Sequence, residues 1–248
     1  MKLKTILSMS IALMAFAGCK QEEDETTTLS VDIKNVISDS NLALDTRSYP
    51  HPVGHTYNLT SYKYFISDIK LLAGNGDTTF LLKAPLLVDA NVEESMSLAD
   101  MDNITNGYYE KIFVTFGLKK SQNKENNLSG FNESQMAIPG TESTGYYHMM
   151  VKGTYDSLKT NRVKPFELMT NAVGEDNNSF ELEIPASSFL YNKSTNIQIG
   201  VDFNQFFQNP NTIDFKDFNG GIATDQGKQK MILDIAKTSI SVSFSNID

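Results

Sequence analysis

Apolar residues fall on every second position in segment after segment of this chain. Leu29, Val31 and Ile33 alternate with Ser30, Asp32 and Lys34, and Ile112, Val114 and Phe116 alternate with Lys111, Phe113 and Thr115. Phe180, Leu182 and Ile184 flank Glu181 and Glu183; Ile197, Ile199, Val201 and Phe203 repeat the pattern, and Ile240, Val242 and Phe244 close the chain. A period of two puts one strand face on a core and leaves the other in water. Further strands are predicted over 61–72, 79–89 and 145–155, with turns at Gly74–Asp77, Asn106–Gly107 and Gly174–Asn178. Helical spacing is confined to Asn204–Asn209, which stops at Pro210, and to Gln229–Thr238, with Met231, Ile232, Ile235 and Ala236 on one side. The fold class expected is all-β: an antiparallel β-sandwich, Ig-like or jelly-roll-like, with one or two short helices near the C-terminus. The stretch 118–143 is long, polar and without periodicity, the profile of a functional or disordered loop.

The N-terminus carries a different message. Lys2 and Lys4 precede an apolar run from Ile6 to Ala17, too short for the roughly twenty residues of a bilayer span. Phe16-Ala17-Gly18-Cys19 resembles the bacterial lipoprotein box, although Phe16 stands where an aliphatic residue is usual. Residues 1–18 are therefore read as a lipoprotein signal peptide and Cys19 as the lipidation site. Residues 19–28 are read as an acidic disordered tether, and 29–248 as one sandwich domain. Cys19 is the only cysteine, so anchoring it leaves none for a disulfide, a thiolate metal site or a nucleophile. Lys20-Gln21 followed by four acids resembles the export signal of some Bacteroidota lipoproteins. The expected location is the outer membrane, with the domain at the cell surface rather than on the periplasmic face.

Charge and motifs exclude several functions. Loss of Lys2 and Lys4 takes the net charge from −9 to −11, the wrong sign for holding phosphates, so no nucleic-acid partner is expected. There is no Gly-x-Ser-x-Gly elbow, phosphate loop or dinucleotide fingerprint, and an enzyme is not expected. Acids are numerous enough to keep a paired-carboxylate hydrolase as a minor alternative. The turns Asp100–Asn103 and Gly174–Asn178 lack the ligand order of a calcium loop. Only three histidines exist. His51 and His55 sit in His-Pro-Val-Gly-His, a loop sequence, and read as exposed loop residues or, less favoured, as metal ligands. His148-Met149-Met150 lies in a predicted strand, where His148 and Met150 share a face. Imidazole with thioether suits copper(I), whereas a core methionine such as Met149 is most often packing.

Four blocks then resemble one family in order and spacing. These are Thr60-Ser61-Tyr62-Lys63-Tyr64-Phe65-Ile66-Ser67-Asp68-Ile69-Lys70-Leu71; Asn106-Gly107-Tyr108 with the strand to Phe116-Gly117-Leu118; Met136-Ala137-Ile138-Pro139; and Gly145-Tyr146-Tyr147-His148-Met149-Met150-Val151-Lys152-Gly153. Together with Ile197–Phe207 and the closing helix and strand, they are similar to the methanobactin-associated copper-binding (MbnP-like) proteins over roughly residues 29–248. The resemblance implies a secreted or lipid-anchored sandwich that binds copper. In founding members histidines and a tryptophan oxidised to kynurenine hold the metal, and a di-haem peroxidase carries out the oxidation. This chain departs there. Ile138 occupies the tryptophan position, Phe166–Asn171 holds no histidine, none lies around Ile33–Val36, and the chain has no tryptophan at all.

Two readings follow. The first is a non-catalytic, lipid-anchored envelope protein that binds copper(I) through His148 with Met136, Met150 or Met169. Its partners would be the membrane and, by family analogy, a di-haem peroxidase or a copper-handling protein. The second is a metal-free surface module for a glycan or protein, using the aromatic area of Tyr62, Tyr64, Tyr108, Tyr109, Tyr146 and Tyr147.

Overall fold

The alternating segments become two stacked sheets. The structure, a computed structural model, describes residues 25–37, 40–45, 48–124, 128, 135–139, 145–157, 162–190, 194–218 and 221–247. The leader 1–18, Cys19 and the tether as far as residue 24 lie outside the described residues. In chain order the strands are β1 (Thr26–Ile37), β2 (Ser40–Asn41), β3 (Tyr49–Pro50), β4 (Thr56–Ala73), β5 (Thr78–Leu82), β6 (Leu86–Asp89) and β7 (Ser97–Thr105). There follow β8 (Gly107–Phe116), β9 (Met149–Ser157), β10 (Arg162–Thr170), β11 (Phe180–Leu190), β12 (Thr195–Asp202) and β13 (Ile240–Asn246). Helices α1 (Phe203–Phe206) and α2 (Gln226–Ser239) lie where helical spacing predicts them. The predicted strand over 79–89 is two strands, β5 and β6. The expected tether also ends early, because Thr26 already pairs with Thr105 in β7.

The smaller sheet runs β13–β12–β1–β2, with β7 also paired to β1; the larger runs β10–β9–β4–β8–β11, with β3, β5 and β6 joining β4. Every described ladder is antiparallel except β1 with β12, which pair in parallel from Leu29↔Thr195 to Val36↔Asp202. Alternation along each strand is indifferent to the direction of its neighbour, so the sequence pattern carries no sign of that exception.

The main core lies between the sheets. Leu29, Val31 and Ile33 of β1 and Ile197, Ile199 and Val201 of β12 pack with Leu59, Tyr62 and Tyr64 of β4, Ile112 and Val114 of β8 and Val151 of β9. One end is closed by aromatic rings: Phe203, Phe206, Phe207 and Phe215 surround Tyr57, Tyr62, Tyr155 and Phe166, with Phe166 stacked on Phe215 at 3.9 Å between centroids. Helix α2 begins at its cap Asp225, whose side chain accepts from the Lys228 N–H at 3.0 Å, and it buries Ile232, Leu233, Ile235 and Ala236.

Gly153 of β9 shows how tightly this end is packed. It pairs with Phe166, whose ring takes the space over the glycine. A Cβ there would lie 2.2 Å from the Asn58 carbonyl oxygen and 2.7 Å from the Phe166 ring. Gly153→Ala is therefore expected to cost about 1–3 kcal/mol through overpacking, read as a lower urea midpoint. Gly107→Ala, where nothing lies within 4 Å of the added Cβ and φ is not positive, serves as the neutral control.

Candidate functional site

A second, smaller core sits on the outer face of the larger sheet. Inward residues of β9 and β10 are Met149, Val151, Phe166 and Leu168; the alternate residues Met150 and Met169 point the other way and are cross-strand partners in register. Phe65 of β4 and Leu87 of β6, also register partners, extend this outer patch. Covering it are Leu118, Met136, Tyr146 and Tyr147, with Leu128 and Ile138 packed at its border. Three of the four residues expected to form a soft-metal site, Met136, Met150 and Met169, are thus buried in one apolar cluster.

Hydrogen bonds tie the two ends of the cover to each other, and charged side chains fasten it to the sheet. Tyr147 N–H donates to the Met136 carbonyl at 2.8 Å and Ile138 N–H to the Gly145 carbonyl at 3.1 Å. Lys63 pairs with Asp89 at 2.7 Å and also donates to Gln135, while Lys119 pairs with the buried carboxylate of Asp68, which accepts from Thr115 Oγ1 at 3.0 Å. Breaking a buried ion pair leaves an uncompensated charge, so the Asp68–Lys119 pair holds the start of this segment in place.

His148 does not share a face with Met150. It occupies a bend one residue before β9, so strand counting stops at Met149. It borders an interior cavity of about 20 Å³ together with Tyr62, Tyr64, Gly117, Met149, Thr170 and Asn178. Gly117, at φ +82°, permits this: a Cβ there would lie 2.8 Å from His148 Nδ1. Asn123, a residue without any sequence signal, contacts His148 Nε2 at 2.9 Å through its Nδ2. Behind the ring, Asn178 donates to the Asn171 carbonyl and to Gln229 Oε1, and Gln229, fully buried on α2, donates to Asn171 Oδ1 and to the Ile222 and Ala223 carbonyls. Buried amides need such complete pairing, and this network, unreadable in sequence, frames the loop against His148.

His51 and His55 lie elsewhere. Tyr57 pairs with Tyr155 and Tyr64 with Met149, so these histidines sit at the other end of the strand pair, roughly 20 Å from His148 at 3.3 Å per residue. The predicted loop is a tight turn, with His51 N–H donating to the His55 carbonyl and Gly54 N–H to the His51 carbonyl, both at 2.8 Å. The expected exposure fails for His51, which is 4 % exposed with its ring 4.5 Å from Phe215. His55 Nδ1 donates to the Asp156 carbonyl at 3.0 Å, and its Nε2 is 3.7 Å from Asp214. Among the described residues no group of three His, Cys, Asp or Glu side chains is placed to hold a metal. Of the six tyrosines expected to offer contact area, Tyr108 alone is exposed, at 43 %.

Burial makes both interior histidines poor bases. The pKa of His148 is lowered to about 4 by desolvation, with a backbone contact from Asn178 acting the other way. That of His51 is also lowered to about 4, by desolvation and then by His55, against the pull of Asp214. The folded state thus binds fewer protons than the unfolded chain between the ordinary value of 6.5 and about 4. Stability is complete above 6.5, falls as pH drops through that window, and levels off below 4. For His148 the loss is on the order of 3 kcal/mol. Neither ring should titrate by NMR above pH 5, and His148→Gln should flatten the fall in chemical stability between pH 6.5 and 4.

With the geometry described, comparison with known proteins becomes informative. A family model described as MbnP matches residues 26–226, nearly the whole of the strand framework up to the start of α2. No curated protein matches the chain. Among solved structures, MbnP from Methylosinus trichosporium superposes with a TM-score of 0.56 at 10 % identity, covering 89 % of this chain and 99 % of that one. At that identity the structural likeness speaks for the fold, and the family match over most of the chain speaks for descent. This chain belongs to the MbnP family.

Proposed function

We propose that this is a non-catalytic, lipid-anchored protein of the outer membrane, attached through Cys19 and facing the cell surface, that captures copper(I). The observation carrying the reading is the burial of Met136, from the cover that ends at His148, in one cluster with Met150 and Met169 of the sheet. Thioether sulfur and neutral imidazole are soft or borderline donors, the class that favours copper(I) over calcium, magnesium or manganese. The kynurenine centre implied by the family resemblance does not fit this chain, which contains no tryptophan. Ile138, at the position where that resemblance places the indole, packs against the methionine cluster. A di-haem peroxidase partner would find no indole to oxidise here, so a copper-handling partner is the one this reading retains.

The chain's own residues supply exclusion of water and donor atoms. Phe65, Leu87, Leu118, Tyr146 and Tyr147 surround the methionines, and Asn123 must release His148 Nε2 before that nitrogen can bind anything else. Copper(I) would be held here as cargo, with no reaction assigned to it.

A second reading, a metal-free module for a glycan or protein, is favoured by one feature. Exposed Tyr108 lines an open surface groove of about 580 Å³ with Asn75, Asp77 and Asn106. An aromatic face beside amides and a carboxylate suits a neutral sugar.

Anaerobic titration of the purified mature chain against a chromogenic copper(I) chelator separates the two. Saturation near one ion per chain is expected. His148→Ala should weaken affinity tenfold or more, as should the size-conserving double change Met150→Leu with Met169→Leu. Absence of saturable binding in the wild type would end the copper reading, and Tyr108→Ala would then be tested for loss of glycan binding.

A further inference from the structure

Hydrogen bonds around His148 determine which ring nitrogen carries its proton. Tyr146 N–H donates to Asn123 Oδ1 at 2.7 Å, and a backbone N–H can only donate, so the orientation of this amide is set. The Asn123 Nδ2 group is then the one at 2.9 Å from His148 Nε2, and it also reaches the Tyr146 carbonyl at 3.3 Å. An amide NH₂ is a donor, so Nε2 accepts. In a neutral imidazole the proton then resides on Nδ1.

That Nδ1–H is buried; the Asn178 backbone lies beside the ring but does not meet it in full hydrogen-bond geometry, and Thr170 Oγ1 is likewise buried without a partner. His148 and Thr170 line one interior cavity of about 20 Å³, with Gly117 and Asn178 beside them. A buried donor or acceptor left without a partner costs about 1–3 kcal/mol. A water needs about 10–15 Å³ of such space and two to four polar partners. The cavity meets the size requirement, and the two side chains supply the minimum number of partners.

We propose that one water molecule is bound in this cavity as part of the native fold, accepting from His148 Nδ1–H and donating to Thr170 Oγ1. With Asn123 on the other side of the ring, the water holds His148 in the Nδ1–H form and presents the Nε2 lone pair toward the cover segment. Asn123 and Thr170 are positioning residues for that nitrogen. The assignment stands independently of copper, because it concerns the metal-free protein.

Long-range ¹H–¹⁵N correlation spectra of the metal-free mature chain at neutral pH test the tautomer, and water-selective NOE spectra test the bound molecule. The expected result is a pyrrole-type Nδ1, a pyridine-type Nε2 and a water contact at His148. Thr170→Val should abolish that contact while Thr170→Ser keeps it, which separates loss of the hydroxyl from general disturbance of the core. An Nε2–H tautomer in the wild type, or a cavity shown without water by high-resolution diffraction, would overturn the proposal even if Thr170→Val failed to fold. Copper titration of the same sample bears on the metal reading alone.

Discussion

Strand β4 is the constraint on which the rest of the molecule depends. Its eighteen residues pair with β9 along the first half and with β8 along the second, and β3, β6 and β5 also join it. A ladder this long cannot stay regular under the natural twist of a sheet. Register shifts between Leu59 and Ser61 and between Ile66 and Asp68 absorb the strain. Because β8 and β9 take successive lengths of one edge, the segment linking them leaves and returns beside Phe65, whose carbonyl accepts from Gly117 N–H and whose N–H donates to the His148 carbonyl. The topology thus fixes the ends of the cover, and its apolar residues Leu118, Met136, Tyr146 and Tyr147 fix its contact with the outer face.

The same strands consequently serve two apolar interiors. Tyr62 and Tyr64 face the sandwich while Phe65 faces the cover; Val151 and Leu168 face inward while Met150 and Met169 face outward. Burying each such side chain is worth about 1.5–3 kcal/mol, so the outer cluster is itself a stabilising unit. Its polar border comprises Lys63 with Gln135, Lys119 with Asp68, and Asn123 with Tyr146 and His148. Each either ties the covering segment to the sheet or orients the one imidazole beside it.

Much of the architecture was legible because most strands are buried on one face only, and alternation reports that directly. The run Tyr64-Phe65-Ile66 breaks the alternation, and the structure shows why: both faces are covered there. The parallel pairing of β1 with β12 joins residues more than a hundred and fifty positions apart and leaves no local trace. At the candidate site the residue types were readable and their grouping was only partly so. Met150 follows from strand parity, whereas Met169 lies in β10, a strand not among those predicted, and Met136 arrives through the covering segment. His148 was misplaced because its strand starts one residue later. Asn123, Thr170 and Gln229 matter only through three-dimensional proximity, which no spacing rule encodes.

The division of each strand between two interiors has a consequence for substitution. Odd and even positions answer to different demands: one set packs the sandwich core, and the other packs the outer cluster. Ile138, carried by the cover, packs against the outer cluster and not against the sandwich core. One ladder thus carries two separate interiors, and a side chain exchanged on one face meets none of the packing partners of the other.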